Sequence, residues 1–227
     1  MTEIFLSRNL NRDEITLLAL EMDLPTLLRF CETSKKVKAL VCDNDKMWYN
    51  KLLKDFPNYK KLTINAPLSF RDIYYLLYKL VILKDKLKLK PSIYTIYTIK
   101  NLHLSNQEII ELPKEIGILI NLEHLYLANT KLTKLPIEIG NLINLQTLDL
   151  SSNYLSELPG EIGNLINLEN LDLHNNKLLY VPTEMGFLFN LKHLNLSYNL
   201  ELKRLPFELG ELKARINTEH TKINYVW

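Results

Sequence analysis

From residue 98 to residue 212 the chain repeats itself every 23 residues, and no other feature restricts the fold as much. Copies open at Asn121, Asn144, Asn167 and Asn190, successive starts differing by 23, and a fainter copy opens near Thr98. Two neighbours read NLEHLYLANTKLTKLPIEIGNLI and NLQTLDLSSNYLSELPGEIGNLI, and one extra residue after Asn199 is the break in the spacing. A unit this short cannot bury an apolar face alone. Copies must therefore stack, each covering the next.

Each position in the unit has a physical task. A Leu-x-x-Leu-x-Leu segment, such as Leu145, Leu148 and Leu150, supplies a short strand with its leucines on one side. Stacked copies pair these strands into a parallel sheet, whose backbone groups are satisfied only by neighbours. The descending side carries Leu-Pro-x-Glu-Ile-Gly, as at Leu135 to Gly140. There proline fixes φ and glycine is expected to permit a tight turn. Ile116, Ile139, Ile162, Met185 and Leu209, with Leu119, Leu142, Leu165, Leu188 and Leu212, fill the interior from the outer side.

These units resemble the 23-residue typical class of leucine-rich repeats, with the LPxEIGxLxNLxxLxL pattern. The resemblance implies an α/β fold: a curved solenoid of five repeats whose concave parallel sheet binds a protein. It also implies an internal ladder made by the asparagine after each strand, here Asn153, Asn176 and Asn199. Gln107 and Thr130 occupy that place in the first two copies, so the ladder is expected to be imperfect there. The tail KARINTEHTKINYVW reads as a degenerate sixth repeat and C-terminal cap, with Ile216 and Ile223 as remnants and Tyr225 and Trp227 closing the last coil.

Residues 1–90 show no repeat and have helical spacing: Asp13 to Leu20, Leu24 to Phe30, Lys35 to Val41, Lys46 to Lys54, and a helix after Ser69. Pro25 falls in a first turn, where its missing N–H costs nothing. Asp45 is the expected N-cap of the fourth segment. Three parts follow: 1–60 helical, 61–97 a linker helix and N-terminal cap, and 98–227 the repeats. The first part resembles an F-box, a small all-α domain. Leu10 stands for the leucine of its opening Leu-Pro, Leu18 for the main apolar position of its first helix, Leu27-Leu28-Arg29 for the core of its second, and Met47-Trp48 for its closing Leu-Trp. Asn11 replaces the proline, and Thr33 to Val37 replaces a Val-Cys-Lys-x-Trp stretch. The resemblance implies docking on the Skp-type adaptor of a cullin–RING ubiquitin ligase, with Leu10, Leu18, Leu27, Leu28, Val37, Leu40 and Trp48 shared between the core and the adaptor. The alternative is an LRR scaffold, inhibitor or decoy whose helices only cap the solenoid.

Alternation places the residues between the leucines on the concave side. One column reads Asn101, His124, Thr147, Asn170 and His193; the next reads His103, Tyr126, Asp149, Asp172 and Asn195. A third, Ser105, Ala128, Ser151, His174 and Ser197, is expected to face the same way. Such a polar, chemically varied surface suits recognition of a protein partner. The histidines are spread over columns on an open sheet, so recognition is favoured over a metal or acid–base site. No Gly-x-Ser-x-Gly, phosphate-cradling glycine loop or His-Glu-x-x-His occurs, so the reading is a non-enzyme with no cofactor.

The formal net charge of +2 gives no strong pull toward nucleic acid or an anionic membrane. Cys31 and Cys42 lack metal-site spacing and are expected to be reduced thiols. With an opening that lacks signal-peptide features and no apolar stretch of about 20 residues, the expectation is a cytoplasmic or nuclear chain, monomeric on its own.

Overall fold

Capping fixes where the helices begin. In the computed structural model, which describes residues 10–62, 64 and 67–223, Asn11 caps α1 (Arg12–Glu21), accepting from the amides of Asp13 and Glu14 while Glu14 reaches back to the Asn11 amide. The residue that departs from the F-box pattern is thus a good helix starter. Asp23 caps α2 (Leu24–Glu32), with Pro25 in its first turn. α3 (Lys35–Val37) runs on as a π-helical turn, Lys38–Cys42. Asn44, not Asp45, caps α4 (Asp45–Asp55): its carbonyl accepts from Met47 N while its amide donates to Leu40 O, a double role a carboxylate cannot fill. The positions proposed for Tyr225 and Trp227 lie outside the described residues.

The chain divides into two compact units, Met1–Val81 and Ile82–Trp227. Helix α5 (Phe70–Lys86) contributes residues to both. In the first unit Leu27, Val41, Met47, Trp48 and Leu52 are buried together with Lys51. The Lys51 ammonium pairs with Asp55 at 3.0 Å and donates to Leu20 O at 3.1 Å. Asp55 also accepts from the Tyr74 hydroxyl at 2.5 Å; burial, and then this bond, pushes the Tyr74 phenol well above its ordinary range. Cys31 and Cys42 do not stay thiols. The reversal through α3 brings their Cα atoms to 6.1 Å and the sulfurs are joined. At a sequence separation of 11, that link removes about 3 kcal/mol of chain entropy from the unfolded state.

In the second unit six three-residue strands form one parallel sheet in chain order: β1 (Asn101–His103), β2 (His124–Tyr126), β3 (Thr147–Asp149), β4 (Asn170–Asp172), β5 (His193–Asn195) and β6 (Arg215–Asn217). The register is unbroken from Leu102↔Leu125 to Leu194↔Ile216. The degenerate tail therefore adds a full sixth strand. The short helix α6 (Ile93–Thr98) stands in for a preceding coil: Tyr97 O accepts from Asn121, as Ile120 O does from Asn144 one coil later.

Each descending side is a five-residue 3-10 turn after a proline, for example Ile137–Asn141 after Pro136. Its glycine serves packing and not turning, since no glycine among the described residues has positive φ. A Cβ on Gly140 would come within 2.5 Å of Glu161 O in the next coil, so only glycine allows that approach. Inside, Asn153, Asn176 and Asn199 form the expected ladder. Asn176 accepts from Leu155 N at 3.0 Å and donates to Leu150 O at 2.9 Å and Leu173 O at 3.1 Å. Thr130 joins through Asn153, whereas Gln107 is exposed and contributes nothing to the ladder. Asn176→Ala should then lower unfolding stability by about 2–4 kcal/mol in urea titrations, because it strands buried backbone groups. Gln107→Ala should change it by no more than about 0.5 kcal/mol.

Candidate functional site

The concave residues owe their position to the sheet alone. Strands about 4.8 Å apart in unbroken register turn each column into a straight row. His124, Thr147, Asn170 and His193 are consecutive Cα partners, and β6 extends that row with Arg215. His103, Tyr126, Asp149, Asp172 and Asn195 form the second row, which ends in Asn217. Arg215 and Asn217 escaped sequence reading, although Ile216 between them marked the strand. The ten expected partner-binding residues, His103, His124, Tyr126, Thr147, Asp149, Asn170, Asp172, His174, His193 and Asn195, are all half-exposed or exposed. The third column behaves differently: Ser151 and Ser197 are buried, because the strands end before it and the chain has turned inward.

Local bonding sharpens the roles within the second row. Asp149 accepts from the Ser151 amide at 3.0 Å and the Ser151 hydroxyl at 2.7 Å, and Asn195 does the same with Ser197 at 3.2 and 2.7 Å. Asp172 accepts from the His174 amide at 2.9 Å. One oxygen of each thus holds the turn that follows its strand, which fixes the side chain. The other end of the row is aromatic. His103 and Tyr126 stack with centroids 4.5 Å apart and planes 3° from parallel, and His124 lies 6.5 Å from Tyr126. His124 Nδ1 is buried with no hydrogen-bond partner. Among the described residues, no three His, Cys, Asp or Glu side chains are gathered to hold a metal ion.

Two further features were missed. Beside the sheet, Asn121, Asn144, Asn167 and Asn190 form a second ladder, each donating to a carbonyl of the preceding coil at 2.7–3.1 Å. The signal was present, since every copy opens on asparagine. Ion pairs also cross between coils: Lys100 with Glu123 at 2.8 Å, Lys134 with Glu111 at 3.0 Å and Lys192 with Glu169 at 2.7 Å. The hydrogen bond from Lys131, and then its charge, holds Glu108 below the usual carboxylate range, and Lys222 does the same for Glu201.

Along the rim after the strands, a groove of about 680 Å³ is lined by Asn129, Ser152, Tyr154, Asn175, Tyr198 and Leu200. Its backbone is unusual. Asn106, Asn129, Ser152, Asn175, Tyr198 and His220 repeat one left-handed position, with φ between 54° and 63°. Asparagine tolerates that region well and tyrosine poorly. Tyr198 nevertheless holds it, 49% exposed, with its ring 4.4 Å from His220. Tyr198→Asn should raise the unfolding free energy by up to about 1 kcal/mol in urea titrations, through relief of backbone strain. A loss of stability would show instead that the packing of Tyr198 against His220 outweighs the strain.

The sequence model of the leucine-rich-repeat family matches residues 120–178, wholly within the repeats. No curated protein matches the chain. Among solved structures, the plant peptide hormone receptor RGFR1, in complex with RGF2, is 36% identical over 56% of this chain and 22% of its own, with a TM-score of 0.52. The LRR ectodomain of the membrane receptor kinase GASSHO1/SCHENGEN3 from Arabidopsis thaliana, in complex with CASPARIAN STRIP INTEGRITY FACTOR 2, is 33% identical over 54% of this chain and 16% of its own, with a TM-score of 0.50. An internalin of Listeria monocytogenes, at 22% identity over 65% of this chain and 44% of its own with a TM-score of 0.54, shares the fold. The chain thus spans less than a quarter of either plant receptor. No helix among the described residues is long and apolar enough to cross a membrane. Residues 120–178 thus match the leucine-rich-repeat model, and the six-stranded parallel sheet of residues 101–217 continues the same unit on either side of them.

Proposed function

We propose that this chain is a non-catalytic protein-recruiting subunit: the concave sheet holds a protein substrate, and the helical unit engages the Skp-type adaptor of a cullin–RING ubiquitin ligase in the cytoplasm or nucleus. The recruiting half is carried by the rigid row from His103 to Asn217, polar and aromatic side chains held to solvent by an unbroken sheet. Aromatic groups beside fixed hydrogen-bonding groups are what protein recognition uses. The two plant receptors, solved with RGF2 and CASPARIAN STRIP INTEGRITY FACTOR 2, lend this reading weight. Nothing in it needs nucleic acid, a membrane, a cofactor or a second copy.

The adaptor half rests on the resemblance and on a division among its seven residues. Leu27, Val37 and Trp48 are buried and build the helical core. Leu10, Leu18, Leu28 and Leu40 are half-exposed, and Leu17 beside them is 64% exposed. Apolar side chains left partly in water are available to a partner. Leu28→Asp with Leu40→Asp should therefore reduce adaptor affinity at least a hundredfold by calorimetry, with the folded circular-dichroism spectrum retained. Leu27→Asp would unfold the unit and is uninformative. Failure of the folded wild-type chain to bind a purified adaptor would overturn the ligase reading.

A second reading is favoured by the Cys31–Cys42 disulfide. Such bonds persist in oxidising compartments, where a ligase subunit would not work. Under it the chain is a scaffold, inhibitor or decoy, and the concave sheet binds its partner without any adaptor. Capture of the same partner by wild type and by the Leu28→Asp, Leu40→Asp variant, with no adaptor bound by either, separates this reading from the first.

A further inference from the structure

The helical unit has a groove of about 820 Å³ whose wall includes both cysteines, Cys31 and Cys42. Leu28, on the same face of α2, also lines it. Three cations rim the opening, Lys35, Lys38 and Arg71, against two carboxylates, Glu32 and Asp43. Among the described residues neither Lys35 nor Lys38 forms an ion pair, while Arg71 lies over the Trp48 and Tyr75 rings at 6.0 and 5.6 Å. The disulfide ties α2 to the end of the π-helical turn, and Trp48 Nε1 donates to Cys42 O at 3.0 Å. Breaking the bond therefore touches the packing of α2, the turn and α4 together.

We propose that the Cys31–Cys42 bond is a thiol-exchange site, reached through this groove by a small anionic thiol of the glutathione class, and that opening it loosens the segment from α2 to Trp48. The incoming thiolate attacks one cysteine sulfur. The S–S bond breaks, a mixed disulfide forms, and the other cysteine leaves as a thiolate in the groove rimmed by Lys35, Lys38 and Arg71 against Glu32 and Asp43. A second thiolate attacks the mixed disulfide at the sulfur of the small molecule. That step releases the oxidised small-molecule disulfide and the second cysteine thiolate, and both cysteines take protons from water. Two small thiols are oxidised and one protein disulfide is reduced. Nearby cations stabilise the departing thiolate and attract an anionic attacker, and both effects speed exchange. This inference is independent of adaptor binding, because it concerns the bond and its neighbours and not what docks beside them.

The test uses the oxidised full-length chain and three probes at equal thiolate concentration: glutathione, 2-mercaptoethanol and cysteamine. Opening is followed by alkylation and intact mass, and loosening by hydrogen exchange over residues 24–48. Glutathione should open the bond at least threefold faster than cysteamine, and the lead should shrink in 1 M salt, where screening acts within about 3 Å. Lys35→Glu with Lys38→Glu should reverse the order. Exchange over 24–48 should rise on opening and return on reoxidation. A rate order that ignores probe charge and is unchanged in the Lys35→Glu, Lys38→Glu variant would overturn the proposal. So would a purified, air-oxidised chain in which both cysteines alkylate freely, or unchanged hydrogen exchange after opening.

Discussion

The solenoid depends on satisfying backbone groups between coils that have almost no regular structure of their own. Strands of three residues leave most of each coil outside the ladder of strand hydrogen bonds. Asn153, Asn176 and Asn199 meet that need. Each side chain accepts from an amide of the preceding coil and donates to carbonyls of the preceding coil and of its own. An amide side chain is one of the few that can do both. Leucine packing then has a fixed frame to fill, and the outer asparagine ladder and the lysine–glutamate pairs hold the same spacing at the surface.

The frame turns a repeating sequence into a sheet whose outward side chains face solvent. Constant leucines pin every strand at the same height, so the residues between them can vary without disturbing the coil. That is why one row can pass from stacked His103 and Tyr126 to Asp149 and Asp172 and then to Asn195 and Asn217. The side chains proposed for binding are nonetheless also part of the fold. Asp149, Asp172 and Asn195 each use one oxygen to hold the turn after their strand, so replacing them tests both functions at once.

Periodicity made the solenoid, its sheet and its concave residues legible, because position in the repeat decides burial. It did not reveal why each coil needs glycine. That reason is the approach of Glu138 O and Glu161 O from neighbouring coils, a three-dimensional distance no single repeat records. Nor did it reveal the rim groove, since a tyrosine at position 198 gives no sequence sign of the left-handed backbone it adopts. In the helical unit the apolar spacing located the helices, but partners distant in sequence stayed hidden. Lys51 is enclosed by Asp55 and by Leu20 O, 31 residues away, and Cys31 met Cys42 only through the reversal at α3.

Side-chain amide exchange measured by NMR on the isotopically labelled chain tests the ladder most directly. The Nδ2 protons of Asn153, Asn176 and Asn199 should exchange only as fast as the solenoid unfolds, orders of magnitude more slowly than those of exposed Asn141 and Asn164. Exchange at the same rate as Asn141 and Asn164 would contradict the account, because the ladder would then not be what holds the coils together.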